Sequence, residues 1–208
     1  CFTGCGHSSL RIIHVPDSHR SSPRTVAIVG GGPAGLMAAE VLARAGVAVD
    51  LYDAMPSVGR KFLLAGKGGL NLTHSEPAEA FFGRYGERRV WMESMLRRFG
   101  PAELREWAQG LGIATFVGSS GRVFPADLKA APLLRAWLHR IRGLGVGFHM
   151  RHRWVGWSEP TGRAGEIALA FETPAGAQIV QADAVRRALG GASWSRLGSD
   201  GAWVTLLQ

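Results

Sequence analysis

A chain of 208 residues with 46% hydrophobic content can bury one large domain with a small insert, and its 29 glycines cluster at turns without a collagen-like period. Its 24 Lys and Arg against 16 Asp and Glu give a net charge of +8, which suits nucleic acid, a phosphate-bearing small molecule or a solvated surface. Zinc-finger spacing and an RNA-binding aromatic motif are missing, no apolar run approaches the ~20 residues that span a bilayer, and the only cysteines, Cys1 and Cys5, exclude a disulfide framework, so a cytoplasmic protein without a membrane partner is expected.

The chain opens on "CFTGCGHSSLRIIHVPDSHRSSPRT", without methionine. Leu10–Val15 is too short and too interrupted for a signal-peptide core, and Ser18–Pro23 reads as linker. The Cys1/Cys5 spacing is not that of a redox or zinc pair. Residues 1–24 are expected to be a disordered tail or a mis-assigned start. Residues 25–208 divide into a fingerprint unit (25–55), a cofactor loop (56–75), a helical excursion (76–112) and a remaining α/β part with a β-meander (113–208).

Val26–Val29 is a β-branched apolar run with no polar position, the pattern of a buried parallel strand. Gly30-Gly31-Gly32-Pro33-Ala34-Gly35 follows, then the helical pattern "LMAAEVLARAG" ended by Gly46, then the strand Val47–Asp53. This strand–turn–helix–strand order is the context in which G-x-G-x-x-G signifies a dinucleotide site. Gly30 permits the tight turn, Gly32 lets a pyrophosphate approach the backbone, and Gly35 lets the helix pack against the strand. The helix N-terminus offers free N–H groups and positive potential to phosphates. Asp53 lies 18 residues beyond Gly35, where a carboxylate can accept ribose hydroxyls. Both FAD and NAD use this unit, and the fingerprint alone does not choose between them.

The next stretch, "PSVGRKFLLAGKGGLNLTH" (56–74), carries Arg60, Lys61 and Lys67 among four glycines and no acidic residue. Such a loop can cradle a pyrophosphate, and "GKGG" can form an anion-binding nest. It is not a Walker P-loop, because Gly68 follows Lys67 where that motif needs Ser or Thr.

Residues 76–82 read as loop or short helix. Two helices follow, "RVWMESMLRRFG" and "PAELREWAQGLG", the second started by Pro101 with Glu103 in its first turn. The stripes Trp91–Met95–Phe99 and Leu104–Trp107–Leu111 are expected in the core. "IATFVG" and "GRVFP" read as strands. A helix is expected over about 127–142, with Asp127 as N-cap or Pro132 in the true first turn, and with Leu133, Trp137 and Ile141 buried. "GVGFHMRHRWVGW" gives two strands, and Ile167, Leu169 and Phe171 alternate into a 173–176 turn, completing a three-stranded antiparallel meander. His149 and His152 match no metal spacing and are read as structural or surface residues. "ADAVRRALGGASW" should hold a core strand that emerges at the cofactor.

Gly30–Gly35, "DAMPSVGRKFLLAGKGGLNLTHSE", "SSGRVFPADLKAAPLLRAWLHRI" and "ALGGASWSRLGSDGAW" together resemble the BaiN-type family of FAD-dependent, NAD(P)-linked oxidoreductases, over nearly all of residues 25–205. The resemblance implies a Rossmann-like, glutathione-reductase-like α/β fold with FAD in the first unit. Gly30, Gly32, Pro33, Ala34 and Gly35 would lie along the pyrophosphate, with Asp53 at the adenosine ribose. Arg60 and Lys61 would face the phosphate and ribityl side, and Asn71, Leu72 and Thr73 the flavin end. Gly190, Gly191 and Ala192 would return the chain to the FAD. NAD(P)H would act as transient reductant and a small molecule as acceptor.

Three departures temper that picture. Arg186 and Arg187 stand where the family has an apolar pair, and two consecutive charges cannot both be buried cheaply in a central strand, so either the strand is frayed at an edge or the copy is damaged. Ser195 stands where the family has proline. The family also continues for roughly as long again beyond "GAWVTLLQ", so a partial flavoprotein is expected: a fragment, a truncated gene product or one half of a split gene. The chain carries no redox Cys-x-x-Cys and no serine nucleophile elbow, so no catalytic residue is assigned. A non-catalytic dinucleotide-binding module and an FAD-linked nucleic-acid-modifying enzyme remain as alternatives. The second needs a contiguous basic groove, whereas the arginines are scattered.

Overall fold

The computed structural model describes residues 24–162, 164–198 and 200–207. Nearly all of the expected tail, with Cys1 and Cys5, lies outside the described residues.

The fingerprint unit folds as the pattern requires. Strand β1 (Thr25–Val29) leads through the glycine turn into helix α1 (Pro33–Arg44), and β2 (Ala48–Asp53) returns parallel to β1. Alternation then sorts the side chains. Ile28 and Leu51 face a cluster with Leu36, Ala39, Trp137 and Ile141, while Ala27, Val29 and Tyr52 face one with Trp154, Leu169 and Phe171. One face of the sheet is therefore covered by helices and the other by a meander.

The chain next forms α2 (Arg60–Ala65), the short β3 (Thr73–His74), α3 (Ala78–Gly83), α4 (Arg89–Leu96) and α5 (Pro101–Gly110). Pro101 starts α5, and Glu103 reaches back 2.9 Å to accept the Gly100 N–H. Strands β4 (Thr115–Val117) and β5 (Arg122–Pro125) join β3 in a small antiparallel sheet, order β3-β5-β4. Helix α6 (Ala130–Gly143) buries Leu133, Trp137 and Ile141 as expected. It begins at Pro132's turn rather than at Asp127. Its N-cap is Lys129, and the Asp127 carboxylate accepts the Lys129 N–H at 3.1 Å in the preceding turn.

Strand β6 (Gly147–Met150) extends the parallel sheet, and β7 (Arg153–Ser158), β8 (Ile167–Thr173) and β9 (Gly176–Ala182) form the meander. Strand β10 (Ala184–Arg187) pairs parallel with β1, giving the order β10-β1-β2-β6. The expected central strand is thus an edge strand among the described residues. Both arginines are exposed, and the Arg187 guanidinium lies over the Trp157 ring, 5.8 Å from its centroid. No buried charge arises there.

The Trp91–Met95–Phe99 stripe is not core. Trp91 is 70% exposed and Met95 56%. Helix α4 is held on its other side, where Arg89 and Arg97 bridge Glu79 and Glu93 and Arg97 covers Phe82. Helical periodicity reports an apolar face, not what covers it. The companion stripe, Leu104, Trp107 and Leu111, is half-buried, with Trp107 edge-on to Trp137.

Trp107 and Trp137 share a partner that the sequence did not announce. Glu40, in the middle of α1, is 2% exposed. Its carboxylate accepts the indole N–H groups of Trp137 at 2.7 Å and Trp107 at 3.0 Å, and pairs with Arg44 at 2.8 Å and Arg140 at 3.1 Å. This one anion ties α1 to α5 and α6. Burial pushes its pKa up, but the two indoles and two guanidinia hold the net value below the ordinary 4.5.

Two outcomes follow from this packing. Glu40→Ala leaves Arg44, Arg140, the buried Trp137 indole and the half-buried Trp107 indole without their acceptor and should cost about 3–5 kcal/mol in chemical denaturation at neutral pH. Because the folded pKa lies below the unfolded one, Glu40 stabilises fully above the unfolded value and loses that contribution as pH falls through the folded value. Glu40→Gln should therefore flatten the acid limb of the stability curve, and an unchanged limb would refute the role. Replacing both Arg186 and Arg187 with Val should shift stability by no more than about 0.5 kcal/mol, because neither is buried. A larger gain by denaturation would show that the strand buries them in solution.

Candidate functional site

The C-terminal ends of β1 and β2 build the site, because the glycine turn leaves β1 where Asp53 ends β2. Gly30 takes φ +109°, a conformation open to glycine, and a Cβ there would strike the Ala188 carbonyl. Its N–H donates to the Tyr52 carbonyl at 2.8 Å. The Gly31 N–H donates to Asp53 Oδ2 at 2.6 Å, and the Met55 N–H to Oδ1 at 2.7 Å. From the other side, the Gly59 N–H donates to the Gly31 carbonyl at 2.8 Å. The turn is clamped at each residue up to Gly32.

Gly32 is the exception. It is the extended N-cap of α1, followed by Pro33, and a Cβ added to it would meet nothing within 4 Å. The amides of the first helical turn have no upstream carbonyl. Gly35, one turn on, packs its Cα so tightly that a Cβ would run into the Gly30 carbonyl. The three fingerprint glycines thus do three different jobs.

A cavity of about 620 Å³ opens at this turn. Gly30, Gly32, Pro33, Ala34, Asp53, Arg60, Lys61 and Gly190 all line it. Gly35 lies behind the turn in α1, buried. Gly191 and Ala192 follow Gly190 outside the lining, and Lys61 reaches that loop by donating to the Ser193 hydroxyl. Asn71, Leu72 and Thr73 are not brought to the cavity wall. Leu72 and Thr73 belong to the small sheet, where the Leu72 N–H donates to the Val123 carbonyl at 2.8 Å.

Other lining residues were not expected at the cofactor from the sequence, although His152 and Arg187 were noted there for other reasons. Gly31 couples Asp53 to the turn, and Tyr52, Met55, Ser57, His152, Trp154 and Arg187 add walls. A short 195–207 segment adds Leu197, Trp203 and Leu206. The "GGG" run was the available signal for Gly31. Nothing in the local pattern marked Trp154 or Trp203, because the meander and the 195–207 turns reach the cavity only through tertiary folding. His149 is structural as expected, paired with Asp50 at 2.7 Å and stacked on Tyr52 at 4.5 Å. His152 also holds the Met150 carbonyl and Gln178, but it faces the cavity.

The electrostatics favour an acceptor-rich anion. Arg60, Lys61, Arg153 and Arg187 line the cavity against Asp53 and Asp200. Burial pushes the Asp53 carboxyl above its ordinary value, in spite of the Met55 and Gly31 amides and the Arg60 charge. Three buried donors on lining residues, Arg60 Nε, Trp154 Nε1 and Trp203 Nε1, have no hydrogen-bond partner in the chain. Such groups are costly unless a ligand satisfies them. A dinucleotide brings phosphate oxygens and ring acceptors, so the residues present fit one. Among the described residues no group of His, Cys, Asp and Glu is placed to hold a metal, and no helix is long and apolar enough to cross a membrane.

These features define a Rossmann-type dinucleotide-binding domain. The model of the HI0933-like protein Rossmann domain matches residues 24–208, and the chain belongs to that family, one of FAD-dependent oxidoreductases. It is similar to the candidate oxidoreductase UacF of Escherichia coli (strain K12), 52% identical over 46 residues, which cover 21% of this chain and 7% of UacF. It is also similar to the carotenoid phi-ring synthase of Streptomyces griseus, 41% identical over 81 residues, 36% of this chain and 14% of that protein. The matched stretches thus span a small part of either relative. Among solved structures, THI4 of Thermovibrio ammonificans superposes with a TM-score of 0.55 at 20% identity, covering 89% of this chain and 61% of that one. A 3-ketosteroid-delta4-(5alpha)-dehydrogenase from Rhodococcus jostii RHA1 gives 0.54 at 14% identity, covering 85% and 48%. Both share the fold.

The two open and closed glycines make a paired test. Gly32→Val should fold normally, because its side chain enters open space, yet abolish dinucleotide binding by filling the phosphate approach. Gly35→Val should instead lower thermal stability outright. Equal FAD titrations of folded Gly32→Val and the unaltered chain would misplace the site.

Proposed function

We propose that this chain is the FAD-holding part of a flavoprotein oxidoreductase that takes hydride from NAD(P)H and passes it to a small organic acceptor. The observation that carries the reading is a cavity lined by an open Gly32 face, a helix N-terminus and three residues with unpartnered buried donors. When bound, FAD supplies the two-electron chemistry. The chain's residues bind and orient it. Gly32 and Ala34 present amides toward the pyrophosphate with Gly35 packing the helix start close behind them, and Arg60 and Lys61 add charge from the start of α2. Asp53 holds the turn through Gly31, and its remaining lone pairs suit a ribose hydroxyl. Gly190 lines the cavity with Gly191 and Ala192 following it, while Asn71, Leu72 and Thr73 stay off the cavity wall, the last two held in the small sheet. The absence of a disulfide framework in the sequence fits a cytoplasmic protein.

A nucleic-acid-modifying role is less well supported. Arg44, Arg84, Arg89, Arg97 and Arg140 are each engaged in ion pairs with glutamates rather than arrayed along a groove. A non-catalytic dinucleotide module uses the same cavity and differs only in turnover.

The test is reconstitution of the purified chain with FAD. Saturable uptake with a shifted visible spectrum, not displaced by NAD, is the expected result. A colourless protein that binds NAD saturably in calorimetry would overturn the choice of cofactor.

A further inference from the structure

The cavity has two distinguishable ends. At one, Arg60 and Lys61 stand on α2, and Lys61 reaches Ser193. At the other, the chain after β6 is tied to the end of β2: the His152 N–H donates to the Asp53 carbonyl at 2.9 Å and the Arg151 N–H to the Met55 carbonyl at 3.1 Å. Trp154 follows two residues later, buried at 6% exposure. Part of the 195–207 segment closes on this same end, while its Leu197 stands beside Arg60, Leu63 and Lys67 of the α2 side. A Cβ at Gly198 would touch the Met55 side chain, Trp203 and Leu206 pack on the cluster of Tyr52, Trp154 and Phe171, and Arg153 lies 3.9 Å from Asp200.

This end therefore has an unusual character. Its walls are aromatic and aliphatic, yet two indole N–H groups from separate elements, Trp154 Nε1 and Trp203 Nε1, are buried there without an acceptor. Indole nitrogen is a donor only. Each unpaired buried donor carries a desolvation penalty, and no carbonyl, carboxylate or hydroxyl of the described chain relieves either one. A planar group with in-plane acceptors and apolar faces answers both features at once.

The orientation of the bound molecule follows from Asp53. In this type of unit the acid at the end of the second strand faces the ribose of the adenosine half. That half then runs toward Met55, Trp154 and Trp203, and the other half toward α2. We propose that Trp154 and Trp203 form a base-recognition clamp: their indole N–H groups donate to ring nitrogens of the adenine, selecting a purine at this end of the cavity. The inference rests on the FAD reading above.

The unaltered chain is titrated calorimetrically with ADP, CDP and the 1-, 3- and 7-deaza analogues of ADP, and then with FAD. Loss of a bonded ring nitrogen should weaken binding about tenfold, so at least one deaza analogue should bind about tenfold more weakly than ADP, and CDP more weakly still. Trp154→Phe and Trp203→Phe should each weaken ADP by a similar factor and remove the discrimination against the matching deaza analogue. If all three deaza analogues and CDP bind like ADP, the clamp is wrong, whatever the variants do. If the analogues discriminate but both variants keep that discrimination, the donors are not these indoles. Failure of the unaltered chain to take up FAD while binding ADP would overturn the proposed function and leave the clamp standing.

Discussion

The Asp53 carboxylate is the constraint around which the site is arranged. Its two oxygens hold the Gly31 and Met55 amides, one on each side of the gap between β1 and β2. The glycine turn is therefore fixed to the second strand before any ligand arrives. This anchorage demands burial, and burial makes the charge harder to maintain, as the raised pKa records. The opposing stabilisation comes from the two amides and from Arg60. Without this bridge, the turn would be tied to β2 only by the Gly30 N–H on the Tyr52 carbonyl, and Gly32 would be held less firmly against the wall formed by Tyr52, Met55 and Trp154.

Glu40 performs the complementary task on the other face. It sits on the same helix whose N-terminus opens the cavity, and it fixes that helix from below through α5 and α6. An acidic residue inside a helix would ordinarily mark the solvated side. Here four donors converge on it, so the buried charge is paired throughout. The position of the α1 N-terminus is thus set twice, by a carboxylate in front and a carboxylate behind. Preorganisation of that kind lets the phosphate site exist without first being assembled by its ligand.

The sequence made the front of this arrangement legible and left the back obscure. The glycines, the flanking strands and Asp53 follow one another within thirty residues, and each has a stereochemical reason to be where it is. The meander was equally readable from the alternation of Ile167, Leu169 and Phe171 and the turn that follows. Glu40, Trp154 and Trp203 were not legible, because their partners are separated by long stretches of chain and only folding brings them together. The arginines of β10 left an edge strand and a damaged copy both open for a related reason, and the edge position is the one the sheet order shows. A strand's place in a sheet is a property of topology, and the local pattern of Arg186 and Arg187 contradicted only a central position that the strand does not hold. Trp91 was misread because amphipathic spacing identifies a face without identifying its cover.

The distribution of unsatisfied groups separates fold from function within this chain. Glu40 is fully paired, and so is the glycine turn up to Gly31, which makes those parts rigid and self-sufficient. The unpaired donors Arg60 Nε, Trp154 Nε1 and Trp203 Nε1 instead border the cavity, and each raises the free energy of the empty state. A ligand that supplies acceptors removes that cost in addition to its own contacts, so binding and folding are coupled at this end of the sheet. The meander face, with the 195–207 turns seated on Tyr52 and Trp154, is completed by what it holds.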